Sequence, residues 1–167
     1  MAEMRTRSHV LDKPKIEEYI KSKRDGVLSF TDGKSTYGVP LGYAYYDSEN
    51  SCLYFGMNPG GRKYGYFQKC NAVCFTMYHT FPSSKDQART AWWSLILDGE
   101  LFQVTDPKEI KSLADMMEKK GLFPPGLKEK IVGAILQNPD KSNFFKMQIT
   151  AMGGKEAPEY NPEDEVQ

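Results

Sequence analysis

The sequence predicts a mainly β domain with flanking helices, organised on six antiparallel strands. Three observations carry this expectation. Short stretches with alternating apolar residues recur between turn residues, most connections are of hairpin length, and helix signals fall outside the strands. Ten Tyr, nine Phe and two Trp supply large rings of the kind that fill the core of a small barrel or sandwich.

In chain order, Asp12-Lys13-Pro14 is a helix start, with Asp12 as N-cap and proline in the first turn. Ile16, Tyr19 and Ile20 form its apolar stripe, and Gly26 is expected to close it. Residues 27–31 are a short strand, Asp32-Gly33 a hairpin turn, and residues 36–46 a second strand. In that second strand Val39, Leu41, Tyr43 and Tyr45 alternate with Gly38, Pro40, Gly42 and Ala44. A face of small residues admits another backbone or a flat ligand, or else belongs to a tightly curved barrel strand. Pro40 has no N–H to donate, so it implies an edge, a bulge or interrupted pairing.

A polar turn at 47–51 leads to a strand at 52–57, then Asn58-Pro59-Gly60-Gly61 breaks it and a short helix follows, with Tyr64 and Phe67 on one face. Residues 72–80 are a fourth strand, 81–91 a polar loop, and 92–104 a long strand with Gly99 at a bend or bulge. Asp106-Pro107-Lys108-Glu109 caps a helix that Ile110, Leu113, Ala114 and Met117 continue, and a second helix spans 127–137. The last strand is expected at 143–150. The chain from Met152 is expected to be poorly ordered unless a partner chain holds it, and the domain assignment is a single domain at 1–156 with an acidic tail at 157–167.

Arg62 and Lys63 stand at a helix start, where the helix dipole favours anions over cations. A glycine-rich turn, free N–H groups and two cations form a cradle for a phosphate group, although an ordinary solvated pair has the same sequence. No Walker-type G-x-x-x-x-G-K-[ST] pattern surrounds them.

With 22 basic and 22 acidic residues, no net field draws the chain to nucleic acid or an anionic membrane, so small molecules and protein chains are the expected partners. No apolar run approaches the roughly 20 residues of a membrane span, and Met1 to His9 lacks a signal-peptide core, so a cytoplasmic location is expected. Cys52, Cys70 and Cys74 form no metal-type pair and are expected to be buried, reduced thiols. Acid-base candidates are scarce, with Tyr37 and His79 the weak ones, and no G-x-S-x-G motif points to a hydrolase. Such a chain can bring its chemistry in a cofactor.

The segments 37–43, 53–55, 60–63 and 71–75, then Trp93-Ser94 and Gly99, resemble in order and spacing the pyridoxamine 5′-phosphate oxidase-like FMN-binding split-barrel superfamily. The branch related to nitroimidazole reductases is the most similar, and residues 147–155 resemble its end. The resemblance implies a six-stranded antiparallel split β-barrel, a homodimer with FMN at the subunit interface, and an oxidoreductase that reduces a small organic acceptor with NAD(P)H or another donor. It also implies that Arg62 and Lys63 hold the flavin phosphate, that Ser94 adds a hydroxyl, and that Val39, Pro40 and Leu41 lie along the isoalloxazine. Phe55, Gly56, Met57 and Asn58 would offer backbone groups to the ring edge, and Trp93 would pack beside the ring or in the interface core. Where those reductases carry a histidine this chain has Gly56, which makes nitroimidazole reduction doubtful and leaves space over the flavin. The alternatives are a non-catalytic flavin or haem carrier, with His79 as the haem ligand, and a deazaflavin-dependent reductase on the same fold.

Overall fold

The computed structural model describes residues 9–81, 91–123 and 126–157. A two-residue strand, β1 (His9–Val10), leads to helix α1 (Lys13–Ser22). The Asp12 carboxylate caps α1 by accepting the Lys15 N–H at 3.0 Å, and Ile16 and Ile20 bury one face. Gly26 does not close this helix. It lies inside β2 (Asp25–Thr31), where an added Cβ would come within 2.6 Å of the Phe75 ring and of the Thr76 carbonyl oxygen. Its glycine is required by close strand packing.

The stretch expected as one strand at 36–46 is two, β3 (Thr36–Gly42) and β4 (Tyr45–Asp47). The break is a change of partner. The Tyr43 N–H donates to the Arg24 carbonyl beside β2 at 3.1 Å, whereas the next amide, Ala44, donates to the Tyr54 carbonyl of β5 (Cys52–Gly56) at 2.6 Å. Helix α2 (Gly61–Lys69) follows, then β6 (Ala72–Thr80), β7 (Trp92–Gln103), α3 (Pro107–Lys119), α4 (Leu127–Gln137), a 3-10 turn at Pro139–Lys141, and β8 (Phe144–Ala157).

All pairings are antiparallel, in the order β3-β2-β6-β7-β8-β5-β4, with β1 added on β8. The path therefore has seven strands instead of the expected six. Because β3 and β4 stand at its two ends and are joined at Tyr43-Ala44, one stretch of chain forms both margins and wraps the sheet around its core. The mainly β split-barrel class holds.

Inside the curve lie Phe30, Phe55, Phe75, Phe145, Leu95, Leu97, Leu101 and Met147, all buried. Each contributes about 1.5–3 kcal/mol on burial. The alternate positions of β7 face outward, with Ile96 51 % and Phe102 41 % exposed. A second core seats α3 and α4 against the outside of the sheet through Val104, Ile110, Leu113, Met117, Ile135 and Phe144. Glu109 fixes α3 there by accepting hydrogen bonds from Lys146 at 2.8 Å and from the Tyr54 hydroxyl at 3.2 Å.

The last strand is longer than expected, since β8 runs through Gly153 and Gly154 to Ala157 and stays paired with β7. Gly154 marks packing instead of disorder: an added Cβ would meet Leu95 at 2.6 Å and Leu11 at 2.9 Å. The acidic tail beyond 157 and most of the 81–91 loop lie outside the described residues.

Gly99 sits at a register shift between β7 and β8, as its position in the strand implied, and an added Cβ would lie 2.2 Å from the Gln148 carbonyl oxygen. Gly99→Ala should therefore lower stability by about 3 kcal/mol, read from urea unfolding. Gly133, in α4, has nothing within 4 Å of an added Cβ, so Gly133→Ala should raise stability by about 0.5–1 kcal/mol in the same assay.

At the β2–β3 hairpin, Asp32 accepts the Ser35 N–H at 2.8 Å and the Lys34 N–H at 3.1 Å, and Lys69 of α2 stands 3.5 Å away. The backbone bonds hold its carboxyl well below the ordinary 3.8, at about 2. The charged form is the stabilised one, so its contribution is full above about pH 4 and is lost as pH falls through 2. The urea midpoints of wild type and Asp32→Asn should differ at pH 6 and converge by pH 2.

Candidate functional site

The four described α-helices start differently, and α4 is entered through Gly126, without a side-chain cap but with Glu129 in its first turn. Helices α1 and α3 are capped by Asp12 and Asp106, the latter accepting the Glu109 N–H at 2.8 Å. Helix α2 is entered through Gly60 and Gly61, has no side-chain cap and no acidic residue in its first turn, and carries Arg62 and Lys63 instead. Gly61 adopts φ +70°, which favours glycine, and no atom lies within 4 Å of its absent Cβ. The start of α2 is thus an open turn with unsatisfied N–H groups and two cations.

The two cations are held on different sides. The Arg62 guanidinium lies 4.4 Å from the centre of the Tyr37 ring and 5.8 Å from that of Tyr66, and those rings stack at 5.7 Å. Tyr66 in turn shares a 2.7 Å hydrogen bond with Ser35, whose hydroxyl donates to Asp32 at 3.1 Å. The hairpin therefore orders the arginine through Ser35 and Tyr66. Lys63 lines a tight crevice with Phe30, Met57, Asn58, Tyr64, Phe67 and Phe145. Tyr66 and Ser35 were not among the residues singled out from sequence, although the Arg62–Tyr66 spacing of four on a helix is a readable signal.

Gly56, Met57 and Asn58 lead straight into this turn. The Phe55 side chain is buried against Phe75 at 5.3 Å, so only its backbone faces outward. Met57 is buried and its N–H donates to the Asn143 carbonyl at 2.8 Å, whereas Gly56 and Asn58 are exposed. Val39 and Leu41 are half-buried on β3, and exposed Pro40 lies opposite Val27 on this edge strand, where a missing N–H is tolerated. Tyr37 joins the site through Arg62.

The β7 pair is placed elsewhere. Trp93 is buried in the main core and stacks on Tyr19 at 4.7 Å, away from α2. Tyr19 itself donates to Glu156, and burial followed by that carboxylate pushes its hydroxyl up to about 12. Half-buried Ser94 lies opposite Tyr78 and Lys155. His79 packs edge-on against Phe81 at 4.6 Å and 5.9 Å from Trp93.

Two surfaces adjoin the site. Pro40, Val27, Thr76, Ile96 and Gly153 form one cross-strand row through successive pairings, continuous with Tyr78, which is 58 % exposed. On the other side, Gly56 opens onto a groove of about 780 Å³ against α4. Among the described residues no group of three or more His, Cys, Asp or Glu side chains could hold a metal ion, and no helix is long and apolar enough to cross a membrane. Cys52 is buried, while Cys70 and Cys74 are only half-buried, so the expectation of buried thiols holds for the first alone; all three are free.

Among solved structures, the fold is similar to a candidate 5-nitroimidazole antibiotic resistance protein from Bacteroides thetaiotaomicron, with 22 % identity over 89 % of this chain and 87 % of that one, and a TM-score of 0.69. It is also similar to an FAD-binding protein from Mesorhizobium loti, with 22 % identity over 90 % and 99 % of the two chains, and a TM-score of 0.64. A flavocytochrome from Azotobacter vinelandii matches at 12 % identity over 98 % and 76 %, with a TM-score of 0.64. No curated protein matches the chain significantly. The family model described as pyridoxamine 5′-phosphate oxidase matches residues 12–156, nearly the whole of the described sheet and its helices. With the order of strands, the uncapped start of α2 and this match in agreement, the chain belongs to the pyridoxamine 5′-phosphate oxidase family.

Proposed function

We propose that the chain is a cytoplasmic flavoprotein that binds FMN at the start of α2 and works as an oxidoreductase on a small organic acceptor. The observation that carries this reading is the open, uncapped Gly60-Gly61 turn with Arg62 and Lys63 beside it. Its N–H groups and two cations fit a terminal phosphate. Flavin binding is named for similar structures, and in those names the flavin is FAD, so the adenylate is the point to test.

In this reading Arg62 and Lys63 hold the phosphate, and Ser94, five residues along β7 from the row that meets Tyr37, is not part of this cradle. Val39, Pro40 and Leu41 lie along the ring, the backbone of 55–58 meets its edge, and Trp93 stays in the core. A flavin held there would supply two-electron chemistry between NAD(P)H or another donor and the acceptor. The chain's own part is to orient, to exclude water and to lend hydrogen bonds from its backbone. A second copy covers the row from Pro40 to Gly153, which is flat and largely apolar, and the flavin lies in that interface. The free thiols suit a reducing compartment.

Arg62→Ala should weaken FMN binding by about ten- to a hundredfold, the loss of about 1.5–3 kcal/mol expected for one charge-assisted bond to phosphate. Flavin fluorescence titration reads the affinity and urea unfolding reads the stability, which should barely move because Arg62 is exposed. Equal affinity in the variant removes the phosphate from α2.

A further inference from the structure

We infer that the groove between the end of β5 and α4 is a pocket for a flat, largely apolar molecule carrying a carboxylate, kept open by Gly56 and with Lys141 as the anion's partner. The inference rests on the flavin reading above, since the groove adjoins the 55–58 backbone assigned there to the ring edge.

Gly56 is the first argument. It pairs with Phe144 as an ordinary strand residue and is not among the glycines of positive φ. No atom lies within 4 Å of an added Cβ. Neither backbone strain nor crowding calls for glycine there, and glycine inside a strand costs stability. What its absent side chain leaves is room in the groove.

The lining is the second argument. A volume of about 780 Å³ is in the range of small-molecule pockets, roughly 300–1,000 Å³. Met57, Pro59, Ile131, Ala134 and Ile135 make its apolar walls. Lys141 is the one charged residue lining it, and among the described residues it makes no ion pair. Asn143 also lines the groove. An apolar slot with a single cation selects a flat body with one anionic group.

The test is calorimetric titration with 2-naphthoate and with its neutral analogue 2-naphthylmethanol, with flavin content measured on the same samples. Gly56→Leu, which a strand tolerates, should weaken both ligands roughly tenfold or more by filling the slot. Lys141→Gln should weaken naphthoate roughly three- to tenfold and leave the alcohol unchanged. The inference is overturned if wild type binds neither ligand at millimolar concentration, as a groove filled by a second copy would, or if either variant lacks its stated effect. Flavin-replete protein without this pattern loses the pocket alone. Protein that takes up neither added FMN nor added FAD yet shows the pattern keeps the pocket and loses the flavin reading.

Discussion

The fold depends on a pair of consecutive amides that bond in opposite directions. Tyr43 donates toward β2 and Ala44 toward β5, so a single extended stretch belongs to both margins of the sheet. That switch leaves β3 and β4 as the two edges of the path but joins them in one stretch of chain. With it, the sheet curves enough to enclose Phe30, Phe55, Phe75 and Phe145, and Tyr43 is buried at the junction with its hydroxyl on the Ile20 carbonyl of α1. The same closure brings β3, the 55–58 segment and the start of α2 to one end of the barrel. The candidate site is a consequence of closing the sheet.

What could be read from sequence follows from how local its cause is. The starts of α1 and α3 were legible because Asp12 and Asp106 act on amides three residues away. The Asp32-Gly33 turn was legible for the same reason. Gly26 and Gly154 were misread, one as a helix stop and the other as part of a poorly ordered tail from Met152, because the atoms that require a glycine come largely from strands distant in sequence. The break at Tyr43-Ala44 was equally hidden: nothing near it in sequence announces a change of partner, and alternation continues across it. Within the site, the α2 turn was legible from its glycines and cations, but the groove was not, since α4 and Lys141 reach Gly56 only through the fold.

The site divides its tasks between rigid and open parts. Arg62 is held over two stacked rings, and those rings are tied to a hairpin whose aspartate is strongly stabilised in its charged form. A cation ordered in advance loses less freedom when an anion arrives. Gly56, by contrast, contributes only space, and Gly61 contributes space and a positive φ. At Gly56 the strand opens onto the groove against α4, and in the proposed reading the walls of that groove set selectivity.

The measurement that tests the central claim most directly is the visible absorption spectrum of the freshly purified protein, followed by denaturation and chromatography of whatever is released. The account predicts flavin bands and FMN at about one per chain. A colourless protein that takes up neither FMN nor FAD when they are added would contradict it, and a Soret band in place of flavin absorption would replace it with a haem-binding role.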